Sequence, residues 1–206
     1  MKKPSPLAIT LTILAVITGA LVALSGFYVD WLWFQSVGFT GVWSTVLTTK
    51  VALFVIAGLL TSLIISLNVY VAFRRRPFYV PTSVEADNLE RYRATIDPIR
   101  KLAFGGIALV LFYFGGTSAT NLWTSWLLFR NSTEFGVQDP QFGLDISFFA
   151  FRLPFYQTLI GWAISTLILA TLASLAVHYL YGGIRPQVPQ ERTTVAARVQ
   201  LSVLLG

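Results

Sequence analysis

Residues 51–73 read VALFVIAGLLTSLIISLNVYVAF, an unbroken apolar stretch without Asp, Glu, Lys or Arg. A helix needs about 20 such residues, at ~1.5 Å rise each, to cross ~30 Å of hydrocarbon. Three other runs meet the same condition: 7–28, 102–122 and 156–180, of 22, 21 and 25 residues, all uncharged. Four such runs predict an all-α membrane protein with four transmembrane helices, linked by short polar segments and short interfacial helices. A further apolar run starts at about residue 199, directly after Arg198, as a fifth span would. On that reading, 1–206 is one transmembrane helical region whose C-terminal remainder is missing.

Composition agrees with the runs. The chain is 55% hydrophobic and 12% charged with a net charge of +6, against roughly a quarter charged in globular domains. Its basic residues are divided among loops that flank apolar runs, where they set topology and meet lipid headgroups. Nucleic acid is therefore not the expected partner. The partners expected are the lipid bilayer, the membrane helices of the missing remainder, and another copy or subunit in a homo- or hetero-oligomer. The chain has no cysteine, which removes disulfides, thiolate nucleophiles and thiolate metal sites. Lys2 and Lys3 before the first run resemble a signal peptide, but the run continues past Ser25 to Tyr28, longer than a secretory apolar region of about 7 to 15 residues. An uncleaved first span is expected.

Orientation follows from the loops. Twelve of the fifteen Lys and Arg residues lie in the amino-terminal tail, the 74–101 loop or the segment after 181; Lys50, Arg130 and Arg152 are the remainder. The positive-inside rule places those three regions in the cytoplasm of a multi-pass cell-membrane protein. Tyr28, Trp31, Trp33, Trp43, Trp123, Trp126, Phe155 and Tyr156 then form an aromatic belt at the outer interface. In the 74–101 loop, Thr82 and Glu85 have capping-box spacing, Leu89, Tyr92 and Ile96 share a stripe, and the pairs Asp87/Arg91 and Glu90/Arg93 are spaced for ion pairing. The cluster Arg74–Arg75–Arg76 is read as a topology signal, with a lipid or partner site as its alternative.

The other long loop, 123–155, is the least random part of the chain. Trp123, Trp126, Leu127 and Arg130 repeat at helical spacing while Asn121, Thr124 and Ser125 share another face, predicting an interfacial helix or the last turns of the third span. Phe-Gly followed by Asp occurs at 135–139 and again at 142–145. The string 139–156 (DPQFGLDISFFAFRLPFY), with 30–39 (DWLWFQSVGF) and 178–185 (HYLYGGIR), resembles uncharacterised protein family 0182 (UPF0182), bacterial membrane proteins. The resemblance implies a multi-pass protein with more spans and a large extracytoplasmic region, and it carries no catalytic residue to this chain.

Candidate sites are few. Asp30, Glu134, Asp139 and Asp145 could offer oxygen ligands, but their spacing matches no calcium loop, so Asp139 and Asp145 are read as turn caps or partners of Arg130 or Arg152, with no metal. The many rings at 135, 142, 148, 149, 151 and 155 predict a loop packed against the bundle. His178, the only histidine, is read as an interfacial packing residue; a proton relay is the alternative. Asn68 is expected to bond a neighbouring helix. The Asn131-Ser132-Thr133 sequon is read as a plain polar loop. Small residues four apart (Ala15/Gly19/Ala23, Gly115/Ala119, Gly161/Ser165, Ala170/Ser174) mark possible contact faces. No catalytic triad, zinc motif or phosphate loop occurs, so catalytic, cofactor and metal residues are all read as none. The expected role is a structural or assembly component that anchors an extracytoplasmic region; the alternative is a transporter or channel subunit.

The absence of native cysteine allows a direct test of orientation. Single cysteines at positions 35 and 138 should be labelled by an impermeant thiol reagent on intact cells, and one at position 85 should not; the reverse pattern inverts the topology.

Overall fold

The computed structural model describes residues 5–77, 97–185 and 192–206. Within them regular structure is helical, apart from two isolated antiparallel bridges, Gln138 with Asp145 and Ile184 with Thr193. In chain order the helices are α1 (Pro6–Ser36), α2 (Thr40–Arg74), α3 (Arg100–Thr120), α4 (Trp123–Arg130), α5 (Leu153–Leu180) and α6 (Val195–Leu205). A 3-10 turn, Asp97–Ile99, leads into α3, and a π turn, Phe148–Arg152, leads into α5. Four of these helical stretches are long and apolar enough to cross a membrane; α6 is a shorter apolar helix. The all-α class and the span count thus agree with the sequence. The capping box and stripe of the 82–96 segment lie outside the described residues.

Helix ends follow local chemistry. Ser5 caps α1, its Oγ accepting from Ala8 N at 3.3 Å, with Pro6 in the first turn where its missing N–H costs nothing. α1 stops at Gly38, whose φ of 76° only glycine adopts freely; Phe39 N donates to Phe34 O and Gly38 N to Gln35 O. α2 begins at Thr40, well before the apolar run at 51, because Ser44, Thr45 and Thr48 turn their hydroxyls onto carbonyls of their own helix. The π turn precedes Pro154, which has no N–H for an i−4 carbonyl; the Leu153 N–H reaches back five residues to Phe148 O.

The chain divides into two compact units, Met1–Thr49 and Lys50–Gly206. In the first, α1 and the start of α2 form a hairpin in which Phe27 meets Trp43 edge to face at 5.0 Å. In the second, α2 and α3 approach closely along small residues. A Cβ added to Gly58 would lie 2.6 Å from Phe112 O, one at Gly115 2.7 Å from Thr61 Cβ, and one at Gly116 2.7 Å from Phe54 O. Ser62 Oγ donates across this seam to Ala108 O at 2.8 Å, and Phe54 stands edge-on to Phe112. α5 joins through Trp162, whose Nε1 donates to Thr61 Oγ1 at 3.1 Å.

The small-residue faces divide accordingly. Gly115/Ala119 and Ala170/Ser174 are buried at contacts, whereas Gly161 has nothing within 4 Å of its added Cβ and Ser165 is exposed. Elsewhere large apolar side chains point outward: Leu67, Leu109 and Leu172 are 62%, 71% and 56% exposed, a surface that fits hydrocarbon. Gly115→Ala or Gly116→Ala should destabilise the bundle by about 1–3 kcal/mol through overpacking. Gly161→Ala should be near neutral. Thermal denaturation in detergent checks the contrast.

Candidate functional site

Two constructions stand out from the packing. The first is a buried polar junction in the last turns of α5. Ala170, Ser174 and His178 fall four apart on one face, with relative exposures of 0%, 0% and 1%, and the two polar side chains meet Gln200 of α6. Ala197 of α6 is likewise 0% exposed, and Gln200 is buried with it. Gln200 Nε2 donates to Asn68 O on α2 at 2.8 Å and lies 3.4 Å from Ser174 Oγ. Its Oε1 therefore faces His178 Nε2, 3.0 Å away, and accepts the proton there. The amide orientation thus sets the imidazole tautomer. His178 Nδ1 is left buried, with no partner among the described residues.

The turn after α5 seals that nitrogen. Gly182, at φ 73°, closes the helix: Gly183 N donates to His178 O at 2.7 Å and Gly182 N to Tyr179 O. A Cβ on Gly183 would sit 2.8 Å from His178 Nδ1, so only glycine fits. Thr194 N then donates to Gly183 O, and Thr194 Oγ1 caps α6 by accepting from Ala197 N. One turn therefore ends α5, closes the junction and positions the start of α6.

The second construction is a clasp in the loop between α4 and α5. Asp145 Oδ1 accepts from Phe135 N (3.1 Å) and Ser147 N (2.8 Å), and Oδ2 accepts from Gly136 N (2.8 Å). The Ser147 side-chain hydrogen bond and these backbone N–H groups lower its pKa from 3.8 to about 2. Asp139 Oδ1 accepts from Gln141 N and Phe142 N, an Asx turn, while Asp139 N donates to Leu144 O. Gly136 and Gly143 supply the positive φ that closes the two turns.

The capping roles read for both aspartates stand, but the expected ion pairing does not: Arg152 Nε donates instead to Ser132 Oγ at 3.0 Å. Nor are the rings all inside. Phe135 and Phe142 remain 51% and 63% exposed although they touch Phe151 and Phe149. The loop is held by carboxylate-to-backbone bonds more than by ring burial. α4 is a helix of its own after a break at 121–122, and its Trp126 and Phe129 pack on Phe155.

His178 is a packing residue, as read from the sequence, and α6 buries it through Gln200. Asn68 contributes its carbonyl, not its amide, to the neighbouring helix; its Nδ2 bonds Ile64 O within α2. Gln200 was hidden in an apolar run. The available signal was its chemistry, since an amide within such a run needs an internal partner. Among the described residues no group of three or more His, Asp or Glu side chains could hold a metal ion.

Four helices of membrane-spanning length and apolar character, with a buried polar junction and a clasped loop, are compatible with a multi-pass α-helical membrane protein. The chain belongs to the uncharacterised protein family UPF0182, whose model matches residues 7–206. It is 47% identical to a UPF0182 protein of Thermobifida fusca over 194 residues, covering 94% of this chain and 19% of the relative. A Streptomyces coelicolor UPF0182 protein is 44% identical over 200 residues, 97% of this chain and 20% of the relative. A third, from a Nocardioides species, is 42% identical over 205 residues, 100% of this chain and 20% of the relative. The chain thus spans about a fifth of the length of the curated relatives it matches. No solved structure matches.

The junction makes a quantitative prediction. A double-mutant cycle on His178→Ala and Gln200→Ala should give a coupling of about 0.5–1.5 kcal/mol, the range of hydrogen bonds between membrane helices. Gly183→Ala should lower stability by about 1–3 kcal/mol, since the added methyl meets a packed ring. Reversible unfolding in mixed micelles measures both.

Proposed function

We propose that this chain is a membrane-embedded structural component, inserted with its amino terminus in the cytoplasm, that anchors and orients an extracytoplasmic region. It is proposed to act without catalysis or cofactor, within the bilayer and against further helices or subunits. One observation carries this reading: the Asp145 clasp locks residues 135–147 onto the turn that runs without a break into α5. A loop held that way transmits position from the bundle to whatever packs on it. The uncharged spans support the same reading, because solute paths at mid-membrane are usually built from ionisable residues or broken helices.

The clasp can be tested by charge and by shape. Because its folded pKa lies below the ordinary value, the stabilisation from Asp145 is fully present above about pH 3.8 and is lost as pH falls through about 2. Asp145→Asn should open the loop, since one of its two accepting oxygens becomes a donor facing an N–H. Asp139→Asn should be tolerated, since only Oδ1 is used. In the full-length protein in its own membrane, Asp145→Asn should leave insertion intact but expose 135–147 and the extracytoplasmic region to added protease. Unchanged protection of both would refute the anchoring role.

A transporter is the second reading, favoured by the buried His178–Gln200–Ser174 cluster. Proteoliposomes carrying the wild-type protein should hold a proton gradient as well as empty ones, read by a pH-sensitive dye. A leak abolished by Gln200→Leu would replace the anchor with a transport function.

A further inference from the structure

Phe73 near the end of α2 and Tyr181 just after α5 meet edge to face, with ring centroids 5.1 Å apart. Two guanidinium groups from different elements converge on this pair. Arg76 Cζ lies 4.1 Å from the Phe73 centroid and 5.2 Å from that of Tyr181, and Arg100 Cζ, at the start of α3, lies 5.9 Å from Phe73. A cation over a ring engages the face of the guanidinium and leaves the in-plane N–H donors for an acceptor. The exposed Arg76 side chain makes no hydrogen bond or ion pair among the described residues. Among the described residues Arg100 has one weak partner, Asp97 Oδ1 at 4.0 Å, an oxygen that also accepts from Tyr181 Oη at 3.4 Å.

We infer that Arg76 and Arg100, held on the Phe73–Tyr181 platform, bind the phosphate of an anionic phospholipid headgroup. Both guanidinium carbons lie within 5.9 Å of one ring centroid, and guanidinium matches phosphate geometry better than ammonium does. The platform terminates two helices of membrane-spanning length and borders the start of a third. Exposed Leu67 and Tyr70 lie farther back along α2, where acyl chains would run and a free phosphate would gain nothing. Exposed Arg74, Arg75 and Lys101 add positive potential around the site. Ring contact therefore separates Arg76 from its two neighbours in the basic cluster, where sequence alone treats the three alike.

The test uses the purified protein in neutral detergent, with melting followed by tryptophan fluorescence during titration with a short-chain phosphatidylglycerol. Saturable stabilisation is expected, with phosphatidylcholine of the same chain length much weaker. Arg76→Gln and Arg100→Gln should each weaken the apparent Kd about ten-fold, the loss of one charge-assisted hydrogen bond. Arg76→Lys should fall between wild type and Gln, because charge survives and the fork does not. Phe73→Leu, which changes no charge, should weaken binding by about two- to five-fold. Asp97→Asn should tighten it by removing the carboxylate beside Arg100. Arg198→Gln, an equal change of charge on α6, should leave the Kd unaltered. Equal loss with Arg198→Gln would show a general surface potential and overturn the site. So would equal stabilisation by phosphatidylcholine, or complete displacement of the lipid by inorganic phosphate, which would assign the arginines to a free anion.

Discussion

Along the apolar helices of this chain, buried polar side-chain atoms other than His178 Nδ1 find their partners inside the protein among the described residues, and much of the packing follows from that constraint. In hydrocarbon an unmet N–H or hydroxyl costs several kcal/mol, since no water competes for it. Hydroxyls accordingly bond carbonyls of their own helix, as Thr117 does to Tyr113 and Thr171 to Leu167. Where they do not, they bridge helices. Ser62 reaches Ala108, Thr61 accepts from Trp162, and Gln200 joins α6 to α2 and α5 at once. These few bonds give direction to faces that would otherwise be uniformly apolar and free to rotate against one another.

Close backbone approach is the other half of the same arrangement. Apolar contact alone scarcely distinguishes a neighbouring helix from lipid, so packing depends on small residues that bring backbones together. Gly58, Gly115 and Gly116 allow the α2–α3 seam, and Ala170 on α5 and Ala197 on α6 are fully buried. Spacing alone could not separate Gly115 from Gly161, which also has a small residue four positions on but faces open space. A four-residue repeat reports which residues share a face, not what that face meets.

The same distinction explains how much was legible. Helix number and class follow from length and charge, and the family from a string of residues around 139–156. Asp139 and Asp145 were recognisable as caps because Asx turns are local, bonding N–H groups a few residues away. Asp145 reaching Phe135 and Gly136 was not, for ten residues of loop intervene. His178 needed more still: its role depends on Gln200 and on a glycine whose missing Cβ makes room for the ring. Long-range partners of single polar residues carry no periodic signal, and the sequence offers only the rule that such residues must have them.

One turn brings the most consequential pieces together. Residues 181–184 cap the His178 carbonyl, close over Nδ1 through Gly183, and present the Tyr181 ring to Phe73. The same turn accepts from Thr194, which caps α6, so the seat of Gln200 and the aromatic platform share a backbone. Glycines at 182 and 183 serve different needs there, one for positive φ and the other for space. A headgroup on Arg76 and Arg100 would hold Phe73 and Tyr181 in register, and with them the turn that closes over His178 Nδ1. The ordering of α6 against α5 is then tied to the end of the bundle rich in basic residues.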